Sequence, residues 1–304
     1  MNEFKSNIIK TLLYFDIFNY PITMDEIINF MPMAKGDEQI FKNNLNELVL
    51  ENYIFQMGDF YCLKNGKELV EKRLVGNNHA QLNLQKAYKN SELIGAFPYV
   101  VGVCISGSLS KGYMDESGDI DYFIITKPER LWIARTLLIL YKKIFLFNSR
   151  KHFCVNYFID TNNLEIPDKN IFTATEVLTL IPTYNHQLFH QFVKNNTWAY
   201  DYLPNKELTE RPASDYQLNP FKKFTERILN HKIGDYLDNF FMKITIQKWK
   251  SKFKHLETEN FELALRSRKY VSKHHPQSFQ KKVLTALDKG VYEFELKHNI
   301  KLNF

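Results

Sequence analysis

Two short segments carry residues able to do phosphate and metal chemistry together. Ser106-Gly107-Ser108-Leu109-Ser110-Lys111-Gly112 follows an apolar run, Tyr99 to Ile105, and Gly118-Asp119-Ile120-Asp121 opens a second, Tyr122 to Ile125. Alternate residues of a strand point to the same face. Asp119 and Asp121 therefore project together as a carboxylate pair, while Ile120 turns into a core. Oxygen ligands of this kind suit Mg²⁺, or Mn²⁺ in its place, held by one or two carboxylates and the phosphates of a substrate. The Gly-Ser turn can bring backbone N–H groups and a hydroxyl up to those phosphates, because glycine lacks the Cβ that would block the approach. Lys111 within the turn and Arg130 after the second apolar run offer cations to phosphate oxygens. The expected site thus has Asp119 and Asp121 on the metal, and Gly107, Ser108, Lys111 and Arg130 on a nucleotide triphosphate.

Ten residues, 109–118, separate Gly107-Ser108 from Asp119-Ile120-Asp121. In identity, order and spacing this resembles the signature of the polymerase-beta-like nucleotidyltransferase superfamily. The runs Val103 to Leu109, Asp119 to Thr126, Arg130 to Arg135, Cys154 to Tyr157, Thr173 to Glu176 and Asn196 to Trp198 also resemble a group of bacterial proteins. These join such a domain to an N-terminal winged-helix-like module. The resemblance implies a Mg²⁺-dependent transfer of a nucleoside monophosphate from an NTP to an acceptor hydroxyl, the acceptor being a small molecule, a protein or RNA. It also implies a third carboxylate, on a neighbouring strand, that binds metal and deprotonates the acceptor. The matching strand here runs from Phe153 to Asp160. If it lies parallel to the Asp119–Asp121 strand, the residue facing the metals is Asn156, whose amide can coordinate a cation but cannot act as a base. If it lies antiparallel, Asp160 comes nearest. Glu176, early in the next helix, stands as a substitute base. A departure from the family pattern at Asn156 leaves a second reading open: a catalytically impaired nucleotide-binding or nucleic-acid-binding regulatory protein.

The elements that must position these residues can be read from periodicity. Residues 1–76 give an amphipathic helix (Phe4 to Phe18), a turn whose Thr23 caps a second helix, a third helix over Asp37 to Glu51, and a hairpin over residues 53–63 turning at Met57-Gly58-Asp59. That order is winged-helix-like. Its third helix carries Asp37, Glu38, Glu47 and Glu51, a poor match to DNA phosphates, so a protein-contact or scaffolding role is expected for the module. A long helix, Lys67 to Leu93, leads into the nucleotidyltransferase core (77–170), where strands alternate with the helix Leu131 to Phe147 to form a small mixed sheet with helices on one face. Residues 171–304 read as a C-terminal helical domain, with helices over Thr173–Leu180, Asn185–Asn195, Phe221–His255, Glu257–Val271 and Ser278–Lys297. The expected class is α+β.

The 304 residues are 44% hydrophobic and 24% charged, as in ordinary globular chains. Met1 to Lys10 has no apolar core of a secretory signal, and Leu131 to Phe147 is interrupted by Arg135, Lys142 and Lys143, which argues against a bilayer span. Cys62, Cys104 and Cys154 have no zinc spacing and read as buried thiols. A cytoplasmic protein without a membrane partner is expected. The net charge of +6 is uneven: Phe221 to Phe304 holds 18 Lys and Arg against 9 Asp and Glu. This surplus admits a nucleic-acid partner, but it is expected simply to form the wet face of amphipathic helices. His186 and His190 read as structural, and His274-His275-Pro276 as a loop.

Overall fold

The computed structural model describes residues 1–149, 151–209 and 213–303. The chain begins with α1 (Glu3–Asp16), β1 (Ile22–Thr23), α2 (Met24–Phe30), α3 (Glu38–Leu50), β2 (Phe55–Met57) and β3 (Phe60–Cys62). The strands form a small antiparallel sheet in the order β1-β3-β2. Each helix starts where a side chain satisfies its free N–H groups: Asn2 accepts from Lys5 N, and Asp37 from Gln39 and Ile40 N. Thr23 and Glu26 form a reciprocal capping box, as the Thr23 reading requires. Phe41, Leu45 and Leu48 turn the inner face of α3 onto Ile8, Ile9 and Leu12 of α1.

Helix α4 (Lys67–Gly95) leads to the second sheet. In chain order come β4 (Val100–Ser106), the single turn α5 (Gly107–Ser110), β5 (Asp121–Thr126), α6 (Leu131–Phe145), β6 (Cys154–Asp160), α7 (Ile171–Leu178), β7 (Ile181–Tyr184), α8 (His186–Asn195) and α9 (Ala199–Tyr202). There follow α10 (Pro220–Leu229), α11 (Lys232–Lys252), α12 (Thr258–Leu265), β8 (Ser267–Arg268), β9 (Val271–Lys273) and α13 (Phe279–His298). The sheet has six strands in the order β7-β4-β5-β6-β9-β8. It is mixed: β5 and β6 are parallel, joined across α6, and the other pairs are antiparallel. The fold is therefore α+β, with a mixed six-stranded sheet and a separate small one.

Three expectations are corrected. Helices cover both faces of the large sheet. Ile105, Tyr122 and Ile124 face α4 and α6, whereas Cys104, Phe123 and Ile125 face α7 and α8; the alternation along each strand dictates two cores. The region after residue 171 is not a separate helical domain, because β7, β8 and β9 belong to the sheet. Pro182 lies in β7, where a proline is tolerated because β7 is an edge strand. Strand β9 buries Ser272 and Lys273, so it carries no apolar alternation. Finally, α13 returns to the N-terminal unit. Val283, Leu287 and Phe294 share the core of Ile8 and Leu12, so the boundary at residue 76 cuts through one packed unit.

The expected helix Phe221–His255 is divided. Asn219 caps α10, and α11 starts again after Asn230-His231. At that corner a Cβ on Gly234 would lie 1.7 Å from the Leu229 carbonyl oxygen; only glycine allows the second helix to start so close to the end of the first. No helix among the described residues is long and apolar enough to cross a membrane.

Candidate functional site

Strand β4 delivers the Gly-Ser turn directly against the first residue of β5. In the antiparallel ladder Ser106 lies opposite Asp121, so the next residue, Gly107, sits over the Asp121 carboxylate. Its φ is +68°, and a Cβ there would stand 2.6 Å from Asp121 Oδ2. Glycine is required twice, for the dihedral and for the space. Ser108 is exposed on α5. Lys111 curls back: its ammonium donates to the Gly107 carbonyl at 3.0 Å and to Glu176 Oε1 at 2.8 Å. This pair ties the turn to α7, whose start is set by Asn170 accepting from Thr173 N at 3.0 Å.

Asp119 lies two residues ahead, half-buried, and Ile120 between them is fully buried, as the alternation predicts. Ile120 is held in the ladder by bonds to the Lys151 carbonyl and from Cys154 N, each 3.0 Å. Burial pushes the Asp121 carboxyl up to about 6; the Cys154 thiol works against this by donating to it, the charges of Asp119 and Glu176 reinforce it, and the Asn156 amide opposes it. Cys154 itself is pushed well above the usual thiol range by burial and by the Asp121 and Asp119 carboxylates.

Strand β6 is parallel to β5, and this decides between the two candidates for the third position. Tyr122 pairs with Val155 and Phe123 with Tyr157. Asn156 is thus the extra residue of a β-bulge, a device that re-aims a side chain out of register. Its Nδ2 donates to Asp121 Oδ1 at 2.9 Å. Asp160 is opposite Thr126 at the far end of both strands, where its Oδ1 accepts from Asn162 N and Asn163 Nδ2. The Asp160 alternative fails because it required an antiparallel strand.

Arg130 is also misplaced by the sequence reading. It follows the far end of β5, where it is 8% exposed, bonds to the Leu229 carbonyl at 3.1 Å and pairs with Asp235 at 2.6 Å. It anchors α10 and α11, past Thr126 at the opposite end of β5 from Asp121. Arg135 is buried with its guanidinium over the Trp132 and Trp249 rings, and burial lowers it to about 10. His186 and His190 pack against each other on α8, ring centroids 4.4 Å apart.

One contributor was not foreseen. Cys154 lies opposite Asp121 in the parallel ladder, and only the pairing reveals it. Just after β9, His274 N donates to the Asn156 backbone carbonyl at 2.9 Å, while its ring packs on Trp249, centroids 4.8 Å apart. His275 is lowered to about 4 by burial and by Lys273, with the Glu176 charge acting the other way. Among the described residues no group of three or more His, Cys, Asp or Glu is arranged to hold a metal ion. Asp119 and Asp121 bring like charges together beside the Gly107 turn, and oxygen donors of this kind are the chemical type that suits a divalent cation. Compared with family models, with curated proteins and with solved structures, the chain matches none.

Proposed function

We propose that the cluster binds a nucleoside triphosphate with Mg²⁺ and transfers the nucleoside monophosphate to an acceptor hydroxyl, in a polymerase-beta-like nucleotidyltransferase core. The observation that carries this reading is the fit of Gly107 over Asp121: the turn of one strand and the acid of its neighbour are packed so closely that a Cβ at 107 would press on the carboxylate at an unfavourable dihedral. In the reaction the acceptor oxygen bonds to the α-phosphorus, the bond to the bridging oxygen breaks, and pyrophosphate leaves. Asp119 and Asp121 would hold the cation, which when bound supplies charge neutralisation at the triphosphate. The chain's own residues position. Asn156 fixes the rotation of the Asp121 carboxylate, the Gly107-Ser108 turn offers its hydroxyl to phosphate oxygens, and Lys111 supplies a point charge to them. Glu176, whose charge already reaches Asp121, takes the role of base once Lys111 turns to the phosphates.

The N-terminal unit, α1-β1-α2-α3-β2-β3 completed by α13, is assigned as winged-helix-like on its order of elements. The acids of α3 favour a protein contact there.

Asn156 favours a second reading, in which the fold binds nucleotide without turning it over and acts as a regulator. Calorimetric titration of each NTP with Mg²⁺ and with Mn²⁺, followed by mass spectrometry for pyrophosphate release, separates the two. Binding with pyrophosphate release supports the transferase. Binding without it supports the regulator. Absence of binding in the wild-type protein defeats both.

A further inference from the structure

The turn that carries Ser108 is closed on itself and tied down from two sides. Lys111 N and Tyr113 N both donate to the Ser108 carbonyl, at 3.0 and 3.1 Å, and Gly112 N donates to the Leu109 carbonyl at 3.1 Å. On one side the Lys111 ammonium holds the turn to Glu176 of α7. On the other side α4 holds it. Asn77 Nδ2 donates to the Gly112 carbonyl at 2.5 Å, and Met114 N donates to the Gly76 carbonyl at 3.1 Å.

Asn77 also belongs to a second set of contacts. Its Nδ2 donates to Tyr20 Oη at 3.2 Å, and its Oδ1 accepts from Arg73 Nε at 3.3 Å. Arg73 and Asn77 are four apart on α4 and so share one face. Arg73 is 7% exposed. Its guanidinium pairs with both Glu26 oxygens, at 2.7 and 2.8 Å, and donates to the Pro21 carbonyl. It lies against the rings of Tyr20 and Phe60, 4.4 and 4.5 Å from their centroids. Glu26 is the acid of the α2 capping box, and Phe60 opens β3. The Tyr20 ring meets the Tyr113 ring edge-on at 5.4 Å. A planar charge held by two carboxylate oxygens and two rings is a rigid anchor. One amide therefore spans the N-terminal unit and the candidate nucleotide turn.

From this geometry we infer that Asn77 is a positioning residue of the candidate site: it sets the turn at 107–112 through the Gly112 carbonyl, and Arg73 makes that setting depend on the docked N-terminal unit. The inference rests on the nucleotide reading of the turn. An amide side chain offers two N–H donors and one carbonyl acceptor, and here they meet three different segments. A shift of the N-terminal unit is thereby passed to the turn. Displacing the unit weakens phosphate binding with Asp119 and Asp121 untouched, and by linkage a nucleotide on the turn tightens the unit.

The test is hydrogen–deuterium exchange of the full chain, read at the amides of Lys111, Gly112, Tyr113 and Met114. Asn77→Asp keeps the acceptor for Arg73 and loses both donors; Asn77→Ala removes the whole amide. Each is expected to speed exchange of these amides at least about tenfold, while Ile8, Ile9 and Leu12 in the N-terminal core exchange as in wild type. Arg73→Met is expected to loosen the turn likewise, from a distance. Lys64→Ala, which breaks the Lys64–Asp16 pair of the same unit, is expected to leave the turn unchanged. In calorimetry with Mg²⁺ and each of the four NTPs, the Asn77 variants should bind about tenfold more weakly than wild type. Turn exchange at the wild-type rate in both Asn77 variants, or in Arg73→Met, would overturn the inference. So would loosening of the turn only together with α1, the mark of general destabilisation. Wild-type NTP affinity in a variant with a loosened turn would overturn the positioning role and leave the nucleotide reading standing. If wild type binds no NTP, that reading fails by itself, and exchange still decides whether Asn77 and Arg73 set the turn.

Discussion

Asn156 reaches Asp121 because β6 bulges. The extra residue between Val155 and Tyr157 swings the amide onto Asp121 Oδ1 at 2.9 Å, where the superfamily signature leads one to expect a third acid. Asn156→Asp would place like charges at hydrogen-bond distance. At pH 7 without cations the variant is expected to be less stable than wild type by about 1–3 kcal/mol. If the cluster is a cation site, Mg²⁺ should raise its melting temperature more than that of wild type. Equal Mg²⁺ shifts in thermal melts of the two proteins would argue against cation binding at Asp121.

Gly107→Ala forces a Cβ to 2.6 Å from Asp121 Oδ2 at a φ of +68°. The expected loss is about 1–3 kcal/mol, read from chemical denaturation, together with loss of NTP binding by calorimetry. An alanine variant of wild-type stability would show that the turn can relax away from the acid.

The Asp121 carboxyl, raised to about 6 in the folded protein, has an ordinary value near 3.9 when unfolded. Between about pH 4 and pH 6 the folded state holds a proton that the unfolded chain has released. Its contribution therefore falls as pH rises through this window and is level above it, by at most about 3 kcal/mol. Denaturation curves across the window should lose this component of slope in Asp121→Asn. An unchanged slope in the variant would assign the titration elsewhere.

Asp119→Asn and Asp121→Asn should lower transfer, or NTP binding, by at least about 100-fold while leaving the fold intact. Asp160→Ala should do the reverse, destabilising the turn after β6 by about 1–2 kcal/mol with nucleotide affinity unchanged. Transfer at wild-type level in either Asp119→Asn or Asp121→Asn would remove the proposed mechanism.

Several features were legible from residue order alone. The Thr23 cap and the alternation that buries Ile120 between two acids are local: each follows from contacts within a few residues, or from the period of a strand. The class, α+β, follows from the same periodicities. The direction of β6 is not local. Asn156 and Asp160 lie on one strand, and only the crossover through α6 makes that strand parallel and brings the amide, instead of the acid, to Asp121. Arg130 is near the Asp121 strand in sequence but beyond its opposite end in space, because a strand separates its own two ends by its full length. Cys154, Glu176 and His275 reach the cluster through pairing and packing between segments far apart in the chain. The same holds for α10. Its sequence is amphipathic, but which face turns inward depends on partners: Tyr99 N and Lys127 bond to Glu226, and the Val100 carbonyl to Lys222, from about a hundred residues away, and these bonds outweigh the burial of Phe221 and Phe224. Periodicity specifies that a helix has two faces. Only the tertiary structure, by supplying what each face meets, decides which of them is left in water.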